Sequence, residues 1–135
     1  MALLVDSGAL YALADRKDAW HARVRRFLEQ RRELLLLPAP VLPEVSHLLR
    51  ARLGGAHELA LVRSIADGEI SVHDLAAGDY RRCAELMSDY DQIGFVDASV
   101  VAVAERLNLP RILTTDRRHF SFVRPRHVSA LTLLP

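Results

Sequence analysis

The amino-acid sequence predicts an α/β domain with a mainly parallel central sheet covered by helices on both faces. Two observations lead there. Short apolar runs, LLV at 3–5 and LLLL at 34–37, have the length of buried strands. Segments with helical signals separate these runs, and such alternation is the pattern of a parallel sheet with covering helices. The 135 residues are 50% hydrophobic, enough for one domain, residues 1–135, with a real core.

The elements follow in order. After the strand 3–5, Ser7 and Gly8 make a turn into a short helix over 9–15. A helix over 18–31 carries one apolar stripe, Trp20, Val24, Phe27 and Leu28, fading at Arg31. The strand 34–37 is bounded by Pro38, and Pro43 opens a helix over 43–53 that stops before Gly54-Gly55. A helix over 56–66 ends at the Asp67-Gly68 turn, before a short strand at 70–72. Helices follow over 76–90 and 98–107, the second preceded by Asp97 and closed by Asn108-Leu109-Pro110. The last strands are 111–115 (RILTT) and 128–133. No repeat, linker or low-complexity segment interrupts this order.

Composition excludes several function classes. Eighteen Lys plus Arg face 17 Asp plus Glu, a formal net charge of +1 that argues against a polybasic nucleic-acid binder but leaves local patches open. The single Cys83 excludes an internal disulfide framework and a cysteine metal cluster. The start MALLVDSGALYALADR lacks a basic leader region, and no apolar run is long enough to span a bilayer. A cytoplasmic protein is expected.

Ligands of a parallel α/β sheet bind beyond the carboxyl ends of its strands. Asp6 and Asp116 follow strands there. Glu44 begins the helix after the second strand, and Asp97 begins the helix before the strand 111–115. Four acids from distant segments therefore meet at one sheet edge. Clustered carboxylates repel unless a cation neutralises them, and oxygen donors suit Mg²⁺ or Mn²⁺. Such an ion activates water and stabilises charge on phosphate oxygens, so phosphodiester hydrolysis follows naturally. Each acid has a plainer alternative. Asp97 is a natural N-cap, Glu44 suits a helix dipole, and Asp6 and Asp116 suit turns.

The segments LLVDSGALYAL around Asp6, LPAPVLPEVSHLL around Glu44, FVDASVVAVAERLNL around Asp97 and ILTTDRRHF around Asp116 resemble, in order and spacing, the PIN-domain ribonucleases, and specifically the VapC toxins of bacterial VapBC toxin–antitoxin pairs. The resemblance implies a PIN-like three-layer α/β/α sandwich and Mg²⁺- or Mn²⁺-dependent RNA cleavage, with transfer or ribosomal RNA as substrate. It also implies a cognate VapB antitoxin and a homodimer. It assigns catalysis and metal binding to Asp6, Glu44, Asp97 and Asp116. Asp6 and Asp97 are then the central ligands, and Glu44 positions a water. The family often has a second hydroxyl where this chain has Gly8.

Ser7, Thr115, Arg117 and Arg118 are the secondary candidates for substrate contact. Ser7 is also a natural helix cap, Thr115 is a candidate to orient Asp116 and equally a natural strand residue, and arginines are common on surfaces. His119 is the weaker candidate, since a loop histidine is more often structural. Phe120 and Phe122 are candidates for stacking on a base or for anchoring the loop in the core, and the core role is the expected one. Leu48, Leu49 and Leu53 are candidates for an antitoxin groove or for ordinary core. Competing readings are a housekeeping RNA-processing PIN nuclease and a catalytically silent RNA-binding module. The Asp-x-Asp signature of phosphatases and the Walker A motif are absent.

Overall fold

A computed structural model describes residues 2–135. Twelve elements run in the order β1 (Ala2–Val5), α1 (Ser7–Ala14), α2 (His21–Glu29), β2 (Leu34–Pro38), α3 (Val41–Arg52), α4 (Gly55–Ala66), β3 (Ile70–His73), α5 (Ala77–Asp89), α6 (Phe95–Arg106), β4 (Arg111–Leu113), α7 (Arg117–Ser121) and β5 (Thr132–Leu134). The strands form one parallel sheet in the order β3-β2-β1-β4-β5. The α/β expectation holds, and the sheet is parallel throughout.

Strand order explains the three layers. From β1 the chain steps outward to β2 and β3, then returns to the other side of β1 for β4 and β5. Crossovers between parallel strands are right-handed, so connections running in opposite directions put their helices on opposite faces. The helix contacts agree. α1 packs on α2 and α3, and α3 on α4, while α5 and α6 pack on each other. Burial then follows position in the sheet. Leu3, Leu4 and Val5 of central β1 are essentially inaccessible, as are Ile112 and Leu113 of β4.

α6 is apolar nearly all round, and residues 98–104 are all buried. A helix of that kind belongs inside a core rather than on it. Side-chain pairs fix it to α5. Arg82 grips Glu105 through Nε at 2.7 Å and Nη2 at 3.0 Å, and Arg106 Nε lies 2.9 Å from Asp79 Oδ2. These forked contacts set the rotation of α6 and hence the direction of its first turn.

Several boundaries move from their sequence-based places. α3 begins at Val41 rather than Pro43, because a proline in the first turn lacks only an N–H that has no helical partner anyway. α2 begins at His21, which leaves Trp20 at its entrance. α6 begins at Phe95, two residues before Asp97, because extended Gly94 is the cap position. β4 ends at Leu113 rather than at residue 115, and the last strand is Thr132–Leu134 rather than 128–133. The segment after Asp116, read as a basic loop, winds into α7. Among the described residues, no helix is long and apolar enough to cross a membrane.

Candidate active site

The strand order reverses between β1 and β4. Helices leave the ends of such strands toward opposite faces and open a crevice between them. The Asp6 N–H donates to the Leu113 carbonyl at 3.2 Å, which ties the two strand ends together at the floor of that crevice. A cleft of about 540 Å³ opens above it, lined by Asp6, Glu44, Asp97 and Asp116 with Ser7, Gly8, Thr115, His119 and the first turn of α6.

Asp6 is buried, with 5% exposure. One carboxylate oxygen accepts the Ala9 N–H at 3.0 Å and caps α1, while the other accepts the Thr114 hydroxyl. Burial pushes its pKa up from 3.8 to about 6, opposed by the Thr114 and Ala9 hydrogen bonds and assisted by the charges of Asp97 and Asp116. Asp6 is thus an N-cap and a cleft residue at once.

Asp97 is the third residue of α6 and does not cap it. Burial raises its pKa, the nearby His119 opposes the rise, and Asp116 and Glu44 add to it. Asp116 caps α7 through the His119 N–H at 3.2 Å. Glu44 stands exposed in the first turn of α3 and accepts a hydrogen bond from the Ser7 hydroxyl. Ser7 is the first residue of α1, so its hydroxyl serves Glu44 and leaves the cap to Asp6.

His119 is closer to the centre than sequence reasoning placed it. Its Nδ1 lies 2.5 Å from Asp116 Oδ2 and 3.4 Å from Asp97 Oδ2. Ligand atoms of Asp97, Asp116 and His119 all lie within 4.8 Å of one another, a spacing that one metal ion can bridge. Asp6 and Glu44 fall outside that group while lining the same cleft. The signal in the sequence was the i, i+3 spacing of Asp116 and His119, which a short helix turns into one face.

Thr114, not Thr115, orients the acids. It is fully buried, donates to Asp6 and accepts the Asp116 N–H at 2.9 Å. Thr115 lies beyond β4 and packs against Gly8. A β-carbon at position 8 would collide with the Thr115 hydroxyl and stand 3.7 Å from Asp6 Oδ1. Gly8 and Thr115 therefore share one space, with the hydroxyl supplied from the second residue.

The two arginines stand outside the cleft lining. Arg117 reaches the Pro135 carbonyl and lies 5.6 Å over the Trp20 ring. Arg118 is exposed, and neither arginine lines the cleft. Phe120 is core as expected, but Phe122 is 37% exposed.

The donor set fits a hard divalent cation. It is rich in carboxylate oxygen, and Asp6 and Asp97, raised chiefly by burial and further by their neighbouring acids, gain from a cation that favours their charged forms.

The PIN domain family matches residues 3–124. Ribonuclease VapC26 of Mycobacterium tuberculosis is 32% identical over 135 residues, 98% of this chain and 100% of the relative. Among solved structures, the sarcin–ricin loop cleaving toxin VapC20 of Mycobacterium tuberculosis is similar with a TM-score of 0.78 at 23% identity, over 94% of this chain and 98% of that one. VapBC2 from Rickettsia felis, bound to a promoter DNA fragment, is similar with a TM-score of 0.69 at 14% identity, over 98% and 97%. The chain belongs to the PIN-domain family, in its VapC branch.

Proposed function

We propose that this chain is an endoribonuclease toxin that hydrolyses RNA phosphodiester bonds with Mg²⁺ or Mn²⁺. The observation that carries the reading is the convergence of Asp6, Glu44, Asp97 and Asp116 from four separate segments into one cleft at the strand-order reversal. The name of the 32%-identical relative, a ribonuclease, points the same way.

In this reading Asp97 and Asp116 hold the cation, with Asp6 behind them adding charge from the sheet floor. The ion supplies stabilisation of negative charge on phosphate oxygens and lowers the pKa of water. Glu44, exposed and steadied by Ser7, is placed to orient the attacking water and take its proton. Thr114 keeps Asp6 and Asp116 in register. The N-terminus of α6, which has no side-chain cap, opens on the cleft at Gly94–Val96 and offers backbone N–H groups to a phosphate. Arg118, exposed in α7 and without the Trp20 and Pro135 contacts of Arg117, is the cation proposed for a more distant phosphate. Substrates are folded RNAs, transfer or ribosomal, cut in single-stranded loops whose bases are accessible.

A VapB-type antitoxin neutralises the enzyme. Its docking surface is proposed at α1, α2 and α4, where a hollow is lined by Leu13, Leu28, Arg16, Arg25 and His57. Leu49 is core, and Leu48 and Leu53 are partly buried against it. The active form is a homodimer.

Mapping RNA 5′ ends after controlled expression tests this. One recurring cut with wild type that vanishes with Asp97→Asn is expected. Identical end maps for the two proteins would overturn the assignment.

A further inference from the structure

Few large apolar side chains are exposed, and two of them form a pair at the rim of the acid cleft. Tyr80 of α5 is 57% exposed and Phe95 of α6 is 38% exposed. Their rings stack with centroids 6.1 Å apart and planes 11° from parallel. Phe95 lines the cleft and stands two residues before Asp97 on the same helical turn. The ring pair is therefore continuous with the proposed reaction centre.

We infer that Tyr80 and Phe95 form a stacking platform for a nucleobase of the RNA substrate, next to the scissile phosphate. The inference rests on the nuclease reading and adds where the substrate is gripped. The two rings pack on each other and still present apolar, planar surface to solvent. Such surface costs free energy when wet, and aromatic faces accept any base because every base has a π-face. Arg117 is turned toward Trp20 and Pro135, so stacking supplies grip that this cation does not. The platform is sequence-tolerant in itself. It favours an unpaired base beside the cut, since a paired base must first be unpaired and unstacked to reach it.

A protein partner is the competing occupant. Met87 lies two turns along α5 from Tyr80 and is 41% exposed, so a second copy or other protein seated on α5 would cover it too. A base stacked on the ring pair at the cleft would not. Met87 therefore separates the two occupants.

The test uses the full chain in an Asp97→Asn background, with RNA binding followed by anisotropy and by fluorescence of 2-aminopurine scanned along a single-stranded oligonucleotide. The parent is expected to bind and to quench one position most strongly. Phe95→Leu and Tyr80→Leu, which keep apolar bulk and lose the ring, should weaken binding about tenfold and abolish that quenching. Phe95→Trp and Met87→Ser should retain both. With Asp97 restored, the two leucine variants should raise KM and leave kcat nearly unchanged. Leucine variants that bind and quench like the parent would overturn the platform. So would a shift from dimer to monomer in light scattering shared by Tyr80→Leu and Met87→Ser, which would assign the face to a second copy. Absence of RNA binding by the parent itself would instead sink the nuclease reading beneath it.

Discussion

The Thr114 hydroxyl donates to the buried carboxylate of Asp6 across 108 residues of chain. The same oxygen accepts the Asp116 N–H at 2.9 Å, so one buried threonine joins the ends of β1 and β4 and aims two acids. Thr114→Val keeps the shape and removes both roles. A loss of about 1–3 kcal/mol in unfolding free energy is expected for the stranded carboxylate, with Thr114→Ser recovering most of it. Urea unfolding of the three proteins decides it, and a valine variant as stable as wild type would contradict the linkage.

The pKa of Asp6 makes stability depend on pH. Its carboxyl is raised from 3.8 to about 6, chiefly by burial. The folded state thus holds the proton more tightly than the unfolded chain. The contribution is fully present below about pH 4 and is lost as pH rises through about 6. Roughly two pKa units correspond to about 3 kcal/mol, and Asp97, raised in the same sense, adds to it. Asp6→Asn keeps a good cap and removes the charge. In chelator at pH 7.5 it should be more stable than wild type, by up to that amount, and the advantage should shrink at pH 4. Denaturant midpoints at the two pH values give the answer.

A divalent ion should reverse that ranking. Mg²⁺ or Mn²⁺ binds only the folded site, so it should raise the unfolding temperature of wild type in proportion to ln[metal] near saturation. The shift should be small in Asp6→Asn and Asp97→Asn. Equal shifts in all three proteins would place the ion outside the cleft.

His119 should tune which metal is preferred. Its Nδ1 stands between Asp97 and Asp116, so an ion there either takes the imidazole as a ligand or displaces it. Imidazole suits Mn²⁺ better than Mg²⁺. His119→Ala should therefore weaken Mn²⁺ severalfold and leave Mg²⁺ unchanged or slightly tighter. Calorimetric titration with each ion measures this directly, and a uniform effect on both would exclude ligation.

Gly8 and Thr115 should behave as a coupled pair. A side chain at position 8 collides with the Thr115 hydroxyl. Gly8→Ser alone should cost about 1–3 kcal/mol as an overpacked site. Gly8→Ser with Thr115→Ala frees the space and moves the hydroxyl across the cleft. A double-mutant cycle in stability should show coupling well above 0.5 kcal/mol, whereas strict additivity would mean that the two residues relax independently.

Much of this was legible in the sequence. The strand runs before Asp6 and Asp116, and the helices starting near Glu44 and Asp97, suffice to bring four acids to one sheet edge. Position along a helix was harder to read. Asp97 suits a cap by composition, yet Gly94 takes that place, because α6 starts three residues earlier than residue 98. Hydroxyl roles were harder still. Ser7 serves Glu44, and Thr114 rather than Thr115 orients the acids, a one-residue change that follows from where β4 stops. The geometry of Arg117, drawn to Trp20 and Pro135, depends on tertiary neighbours with no local signal. His119 carries little signal because TTDRRHF has the composition of a loop, and only the short helix α7 gives Asp116 and His119 the shared face of an i, i+3 pair.

A divalent-metal nuclease centre in the acid cleft makes RNA cleavage depend on metal concentration, which initial rates measure. Wild type stripped with chelator should be inactive and should recover saturably with Mn²⁺ or Mg²⁺. Asp97→Asn, purified in parallel and equally folded, should remain at least about a hundredfold slower at every concentration, the scale of losing one charged group from a reaction centre. Cleavage that persists in chelator, or an asparagine variant with wild-type rates, would contradict the account.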